Sequence, residues 1–307
     1  MATVLENVLA VVVTYHPDAG LDRRLEALRG QVGSVLVVDN GSPNIGDIEA
    51  MARAAGCRLI ANAANLGVAA ALNAAARVAL AEGFEWLASF DQDSLAPPGA
   101  LAGLIELYAA HPWRKSIAVL AMSHRDRATG RDYHRSGDIL EETGAWRSVR
   151  TTITSGALTR CEAFRALGLF DERLFIDGVD HDFCLRCRGA GWRVIESRGQ
   201  VMDHSLGAIS RRRLLWGSVA CSNHSALRRY YITRNTLELS VRHLRHDPVW
   251  CLHATGNLFV DSLLVVLLEE DRRAKLGAVL QGGWYFVLRR FGRRLPEPRS
   301  MGSGGPA

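Results

Sequence analysis

The sequence predicts an α/β fold, a mostly parallel sheet with helices on both faces, followed by a helical extension. Three observations carry this. Short apolar runs alternate with helical patterns from residue 8 to residue 121, which is the order of a parallel sheet wound through helices. The polar turns Thr14-Tyr15, Asp39-Asn40, Asn65-Leu66-Gly67 and Asp91-Gln92-Asp93 fall where those strands end, so they converge on one crevice at the carboxyl edge of the sheet. Beyond Gly207 the pattern changes to long amphipathic helices with clustered arginines.

Residues 8–13 read as a buried strand, and Leu21, Leu25 and Leu28 then share one helical face. A second strand at 35–38 ends in Asp39, a helix spans about 45–55, and 57–61 is a third strand. The small-residue run 68–81 is a helix leading to the strand 86–90. Pro97-Pro98-Gly99 opens a helix to about residue 110, and 117–121 is a further strand. Residues 123–150 are polar with scattered aromatics, the pattern of irregular strands or of a loop on the acceptor side of a site. The β-branched 151–154 reads as a strand, and a short helix at 161–167 ends at Gly168 as a C-cap. The expected division is a catalytic domain over 1–206, a helical extension over 207–295 and a disordered tail over 296–307, rich in Gly, Pro and Ser.

The chain has 307 residues, 48% hydrophobic and 22% charged, a globular composition with ample core. Its net charge of +5 hides an asymmetry, because residues 1–200 hold 21 Lys and Arg against 24 Asp and Glu while residues 201–307 hold 16 against 8. A basic end of this kind fits a polyanionic partner, nucleic acid or an anionic membrane surface. The six cysteines form no disulfide framework and read as reduced thiols, Cys184 and Cys187 included. The first seven residues carry Glu6 and no Lys or Arg, which argues against a secretory signal. No unbroken apolar run reaches about 18 residues, so no helix is expected to span a bilayer.

Two carboxylates one residue apart, Asp91 and Asp93, follow a buried strand. A hard cation such as Mg²⁺ or Mn²⁺ needs only one or two such acids when substrate phosphates complete its shell. Asp39 either accepts from the N3–H of a pyrimidine base or caps its own turn. Gly67 and the alanines after it permit close approach, and the helix they open has an N-terminus suited to phosphate. In residues 175–186, Asp177 and Asp180 share a helical face while Asp182 points away. One of these acids, held near a metal and a diphosphate, is a candidate general base. His204, next to Asp203, is a candidate metal ligand.

Taken together, Thr14-Tyr15, Asp39 through Ser42, Asn65-Leu66-Gly67 with Asn73, Asp91 through Ser94, Ser155-Gly156, Phe170 through Asp177, Asp180 through Arg186, His204 through Gly207 and Arg229 through Asn235 resemble the inverting family 2 glycosyltransferases of GT-A (Rossmann-like) fold. The likeness covers about residues 8–240 and is greatest to the rhamnosyltransferase branch. It implies that Thr14, Tyr15 and Asp39 hold base and ribose, and that Asn40, Asn65, Gly67, Asn73, Ser155, Gly156 and Asp177 belong to the nucleotide-sugar site. It further implies Asp91 and Asp93 as the metal pair with His204 helping, and Asp180 as the base that deprotonates the acceptor hydroxyl. The donor so implied is dTDP-L-rhamnose, with a UDP-hexose as the alternative.

Residues 227–235 and 263–269 are also similar to rhamnosyltransferases of rhamnolipid, O-antigen and other polysaccharide synthesis, which implies a glycolipid or lipid-linked saccharide acceptor. Leu258, Leu263, Val266 and Leu267 lie at helical spacing near Arg272-Arg273 and Arg289-Arg290. Such helices can lie on the inner face of the cytoplasmic membrane without crossing it. Two other classes are disfavoured. An NAD-dependent oxidoreductase needs a Gly-x-Gly-x-x-Gly turn after its first strand, where this chain has Thr-Tyr-His-Pro. A nucleic-acid-binding module lacks support, because the arginines are not interleaved with aromatics in any module pattern.

Overall fold

A computed structural model of the chain describes residues 4–126, 136–204, 210–214, 217–221 and 223–294. The expected boundary at 206, the tail from 296 and part of the polar 123–150 segment fall outside them. Nine strands form one mixed sheet in the order β3-β2-β1-β4-β8-β5-β9-β7-β6. The predicted parallel half is β1 (Leu5–Thr14), β2 (Val32–Asp39), β3 (Arg58–Ala61) and β4 (Trp86–Asp91). The other half is β5 (Ile117–Asp126), β6 (Ile139–Glu142), β7 (Trp146–Val149), β8 (Ala157–Arg160) and β9 (Arg193–His204). There only β5 and β9 run parallel, and β8 lies antiparallel to both β4 and β5.

Alternation along the strands decides the layers, since successive side chains point to opposite faces. Val8, Ala10 and Val12 of β1 pack with α1 (Leu21–Arg29), α2 (Ile45–Ala54) and α4 (Ala100–Ala110). Leu9 and Val11 pack on the other face with α3 (Val68–Ala81), α5 (Cys161–Leu167) and α6 (Val179–Gly189). Ala69, Ala71, Ala75, Ala76 and Ala79 of α3 are all fully buried, so the alanine run lets that helix sit close on the sheet. A larger side chain there overpacks the layer at about 1–3 kcal/mol. Cys184 and Cys187 are free and buried, and burial pushes the Cys187 thiol up to about 12, a packing role.

Residues 151–154, expected as a strand, are irregular; the strand begins at Ala157, after a turn in which Gly156 has φ +75°. β-branched composition is a weak guide when the backbone is diverted to serve a site. A hairpin of β10 (Ser210–Leu214) and β11 (Gly217–Cys221) interrupts the region read as wholly helical.

Three helices close the chain: α7 (Ala226–His243), α8 (Pro248–Leu268) and α9 (Arg272–Val287). Ser225 caps α7 and Asp247 caps α8, whose first residue is a proline, as helix entry favours. Contrary to the sequence expectation, α8 is long and apolar enough, by length and composition, to cross a membrane, and little of it is buried. His253, Asn257 and Asp261 break its apolar runs, so run counting missed it although its average is apolar. Both ends return to the protein. Asp247 accepts from Arg150 and Arg188, while Glu269 after the helix is buried between Arg229 at 2.7 Å and Lys275 at 2.9 Å.

Candidate active site

Strand register brings the predicted edge together. Thr14 pairs with Asp39 across β1 and β2, and Val13 pairs with Asp91 across β1 and β4. Since β2 lies on one side of β1 and β4 on the other, the crevice above β1 and β4 is the topological switch point of the parallel half.

Asp39 is fully buried, and its oxygens are met from within the chain. The hydroxyls of Thr14 at 2.8 Å and Ser42 at 2.6 Å donate to Oδ1, and the amides of Gly41 at 3.0 Å and Ser42 at 2.7 Å donate to Oδ2. The turn-capping reading is therefore present, and accepting from a base requires one of these bonds to exchange. Tyr15 is exposed at the edge, with its amide donating to Gln92 Oε1 at 2.7 Å. Asn40 donates to the Gly67 carbonyl at 3.0 Å and accepts from Asn62, which joins the β2 turn to the start of α3.

Asn65 Oδ1 accepts from the Gly67 amide at 2.9 Å. Gly67 has φ +91°, and a Cβ there would stand 2.6 Å from the Phe175 carbonyl oxygen. Close approach is thus its purpose, but the Val68 amide donates to that same carbonyl at 2.8 Å. The first amide of α3 is therefore committed to residue 175 and is not offered to a phosphate. Asn73 also departs from expectation. Only 2% exposed, it donates to the Phe170 carbonyl and to Glu172 Oε1, each at 2.9 Å, and accepts from the Phe170 amide. Its amide is engaged in anchoring residues 170–172.

Ser155, equally buried, accepts from the Asp91 amide at 3.1 Å and donates to Ser94 Oγ at 2.8 Å. The Gly156 amide donates to the Ser89 carbonyl at 2.8 Å. This pair is the wall that fixes the Asp91–Ser94 turn. Asp93 is exposed at the crevice. Burial, together with the negative charges of Asp93 and Asp180, pushes the Asp91 carboxyl up to about 6, and Arg228 opposes the shift. Asp91, Asp93 and Asp180 are therefore neighbours, crowded acids of the kind that a divalent cation with a diphosphate neutralises. The donor set fits such an ion. Among the described residues no group of three or more His, Cys, Asp and Glu stands at metal-binding distance. The side chain of His204, the expected helper, lies outside the described part.

Asp177 is not helical, as the shared-face reading required. It has φ +62°, follows Phe175 at φ +67°, and α6 begins only after Gly178. Asn235 of α7 holds this strained turn, its Nδ2 donating to the carbonyls of Leu174, Ile176 and Asp177 at 2.9, 2.8 and 2.7 Å. Arg228 donates to Asp177 Oδ1 at 3.0 Å. Both α7 residues lie in the 227–235 stretch that carries part of the resemblance, but local reading gave neither a role, because they act more than fifty positions away. Asp180 lies in the first turn of α6, while Asp182 faces the opposite way, fully buried among Arg186, Arg242 and His243.

The family profile described as Glycosyl transferase family 2 matches residues 9–168, from β1 through the Asp91–Ser94 turn to α5. The chain belongs to glycosyltransferase family 2. It is 30% identical over 286 residues to a dTDP-rhamnosyl transferase, RfbF, of Shigella flexneri, which spans 88% of this chain and 90% of that protein. Solved structures share the fold. TarS 1-349 of S. aureus in complex with UDP-GlcNAc aligns over 92% of this chain and 81% of its own, with a TM-score of 0.59 at 15% identity. GalNAc-T7 with UDP, GalNAc and Mn²⁺ aligns over 93% of this chain and 56% of its own, with a TM-score of 0.56 at 12% identity. The protein is a glycosyltransferase of GT-A fold with C-terminal helices.

Proposed function

We propose that this glycosyltransferase moves L-rhamnose from dTDP-L-rhamnose to a hydroxyl of a glycolipid or lipid-linked saccharide, inverting the anomeric centre, at the inner face of the cytoplasmic membrane. The observation that carries the donor is the 30% identity to a dTDP-rhamnosyl transferase over 88% of the chain, a span that extends well beyond the family match at 9–168. In this reading Asp180 takes the acceptor proton as the hydroxyl attacks. Asp91 and Asp93, with His204, would hold Mg²⁺ or Mn²⁺, which when bound would supply positive charge opposite the leaving diphosphate. Thr14, Tyr15, Asn40 and Asn65 frame the nucleotide end. Arg228, beside Asp91 and Asp177, adds a fixed positive charge on the same side.

The lipid side rests on the outward face of α8. Leu252 and Phe259 are each 73% exposed, with Val260, Leu263 and Leu267 beside them, and Leu280 and Trp284 of α9 are exposed too. Arg272 and Arg273 open α9, and Arg289 and Arg290 follow it. Because Asp247 and Glu269 tie both ends of α8 to the same body, the helix lies along a membrane surface instead of crossing it. The test is turnover of a donor panel with Mn²⁺, dTDP-L-rhamnose against dTDP-glucose, UDP-glucose and UDP-GlcNAc, followed as release of nucleoside diphosphate. Selective consumption of the rhamnose donor is expected. Consumption of a UDP-hexose in its place would overturn the donor assignment.

A further inference from the structure

On the side of α8 turned toward the protein, Trp250, Cys251 and Val265 are buried, but His253, Asn257 and Asp261 bring polar groups to that side as well, unlike the apolar stripe an ordinary surface helix turns to its core. Trp250, His253, Asn257 and Asp261 recur at helical spacing and line a cavity of about 320 Å³, closed on the other side by Asp177 and His181 at the start of α6. The turn at Gly137 completes the wall, where a Cβ would come within 2.4 Å of the His253 ring. The volume sits at the lower end of small-molecule sites, about 300–1,000 Å³.

Two buried polar atoms bordering this cavity, Asp177 Oδ2 and His181 Nδ1, have no hydrogen-bond partner within the protein. Leaving such groups unmet costs about 1–3 kcal/mol each, so both call for a ligand that donates to a carboxylate and bonds to an imidazole nitrogen. Hydroxyl groups do both. The lining contains Asp138, Asp177 and Asp261 and neither Lys nor Arg, so it repels a phosphate. Ile232, Leu239 and Leu258 supply apolar wall beside the polar groups, and a sugar presents both C–H faces and hydroxyls. Trp250 offers a flat apolar surface beside these polar groups, its ring 5.7 Å from that of His181. The segment that supplies Asp177 and His181 also carries Asp180, which lies against Asp91 at the crevice.

We infer that this cavity is the subsite for the sugar of the acceptor, with Asp177 and His181 positioning its hydroxyl groups against Asp180 and Trp250 stacking on the ring. The inference rests on the proposed lipid-linked saccharide acceptor and deepens it: α8 meets lipid with one face and a neutral sugar with the other. Discrimination between acceptors then lies in α8 and not in the turn at Asp91.

Saturation-transfer NMR on the full chain with dTDP and Mn²⁺ tests this, with octyl α-L-rhamnopyranoside and octyl β-D-glucopyranoside as probes. Saturation of ring protons is expected for at least one glycoside. The double variant His253→Leu, Asn257→Leu weakens that ring contact about tenfold or more, while its affinity for dTDP, read by calorimetry, stays within about twofold and reports an intact fold. Ring saturation that survives the double variant, or saturation of the octyl chain alone with both probes, overturns the assignment. Failure of the rhamnose-donor reading is separate, because ring contact is read without donor turnover and stands whichever nucleotide sugar the enzyme consumes.

Discussion

Arg228 Nε donates to Asp177 Oδ1 at 3.0 Å, joining α7 to the turn before α6. The same guanidinium opposes the upward shift of the Asp91 carboxyl, so one exposed cation from the extension reaches both Asp177 and Asp91. Exposed ion pairs contribute about 0–1 kcal/mol to stability, whereas a fixed charge aimed at a leaving group is worth about 10²-fold or more in rate. Arg228→Ala therefore lowers kcat by about 10²-fold and shifts the melting temperature by no more than about 3 °C. Steady-state kinetics beside calorimetry checks it. A large loss of stability with a proportionate loss of rate would make Arg228 a structural tie only.

Asp180 and Asp182 stand two residues apart on opposite sides of α6, and their variants separate chemistry from folding. Burial disfavours the Asp182 charge, yet His243, Arg186 and Arg242 outweigh it and hold the carboxyl down at about 2 from 3.8. Asp182→Asn leaves two guanidiniums facing a neutral group and costs about 3–5 kcal/mol in urea unfolding. Asp180→Asn, in contrast, abolishes transfer with a stability change under about 1 kcal/mol.

The Asp182 contribution has a defined pH window. Because its folded value lies below its unfolded one, the stabilisation is complete above about pH 4 and is lost as pH falls through about 2. Acid titration of unfolding free energy in the wild type is expected to show a decline across that interval, and Asp182→Asn to lose that part of the slope. Parallel curves for the two proteins would contradict the assignment.

Asn73→Ala removes the bridge from α3 to Phe170 and Glu172 and leaves a buried amide and carbonyl unmet, a cost of about 2–4 kcal/mol. Its donor affinity, measured by calorimetry on the folded protein, stays within about twofold. A tenfold loss of donor affinity would return Asn73 to the nucleotide-sugar site.

Flotation with vesicles tests the outer face of α8. Wild-type protein is expected to float with anionic vesicles and weakly with zwitterionic ones, and Phe259→Asp with Leu263→Asp to remove both. Both side chains point away from the body, so the fold is retained. Floating that the variant does not change would mean another surface meets the lipid.

The parallel half of the sheet was legible because each signal was local. Apolar alternation, a polar turn and the next apolar run lie within a few residues, and Asp91 and Asp93 follow their strand directly. Asn235 and Arg228 were beyond that reach, since their partners in 174–178 come from a different helix. Residue type also misled where internal bonding is complete: Asn73 and Ser155 are polar residues next to a site, yet their polar atoms face the scaffold. Residues 151–154 read as a strand from composition, but their backbone is diverted into the turn that pins Asp91. For α8, counting unbroken runs concealed a helix that is long and apolar enough on average to cross a membrane, because His253, Asn257 and Asp261 interrupt the runs, and their place beside one cavity became visible only in the fold.

The most direct test of the central claim is rhamnosyl transfer by the purified chain from dTDP-L-rhamnose, with Mn²⁺, to a mono-rhamnolipid and to a lipid-linked glycan, with Asp180→Asn in parallel. The account predicts a product whose new linkage has the anomeric configuration opposite to the donor's, and no product from the variant. Product with retained configuration, or undiminished transfer by Asp180→Asn, would contradict it.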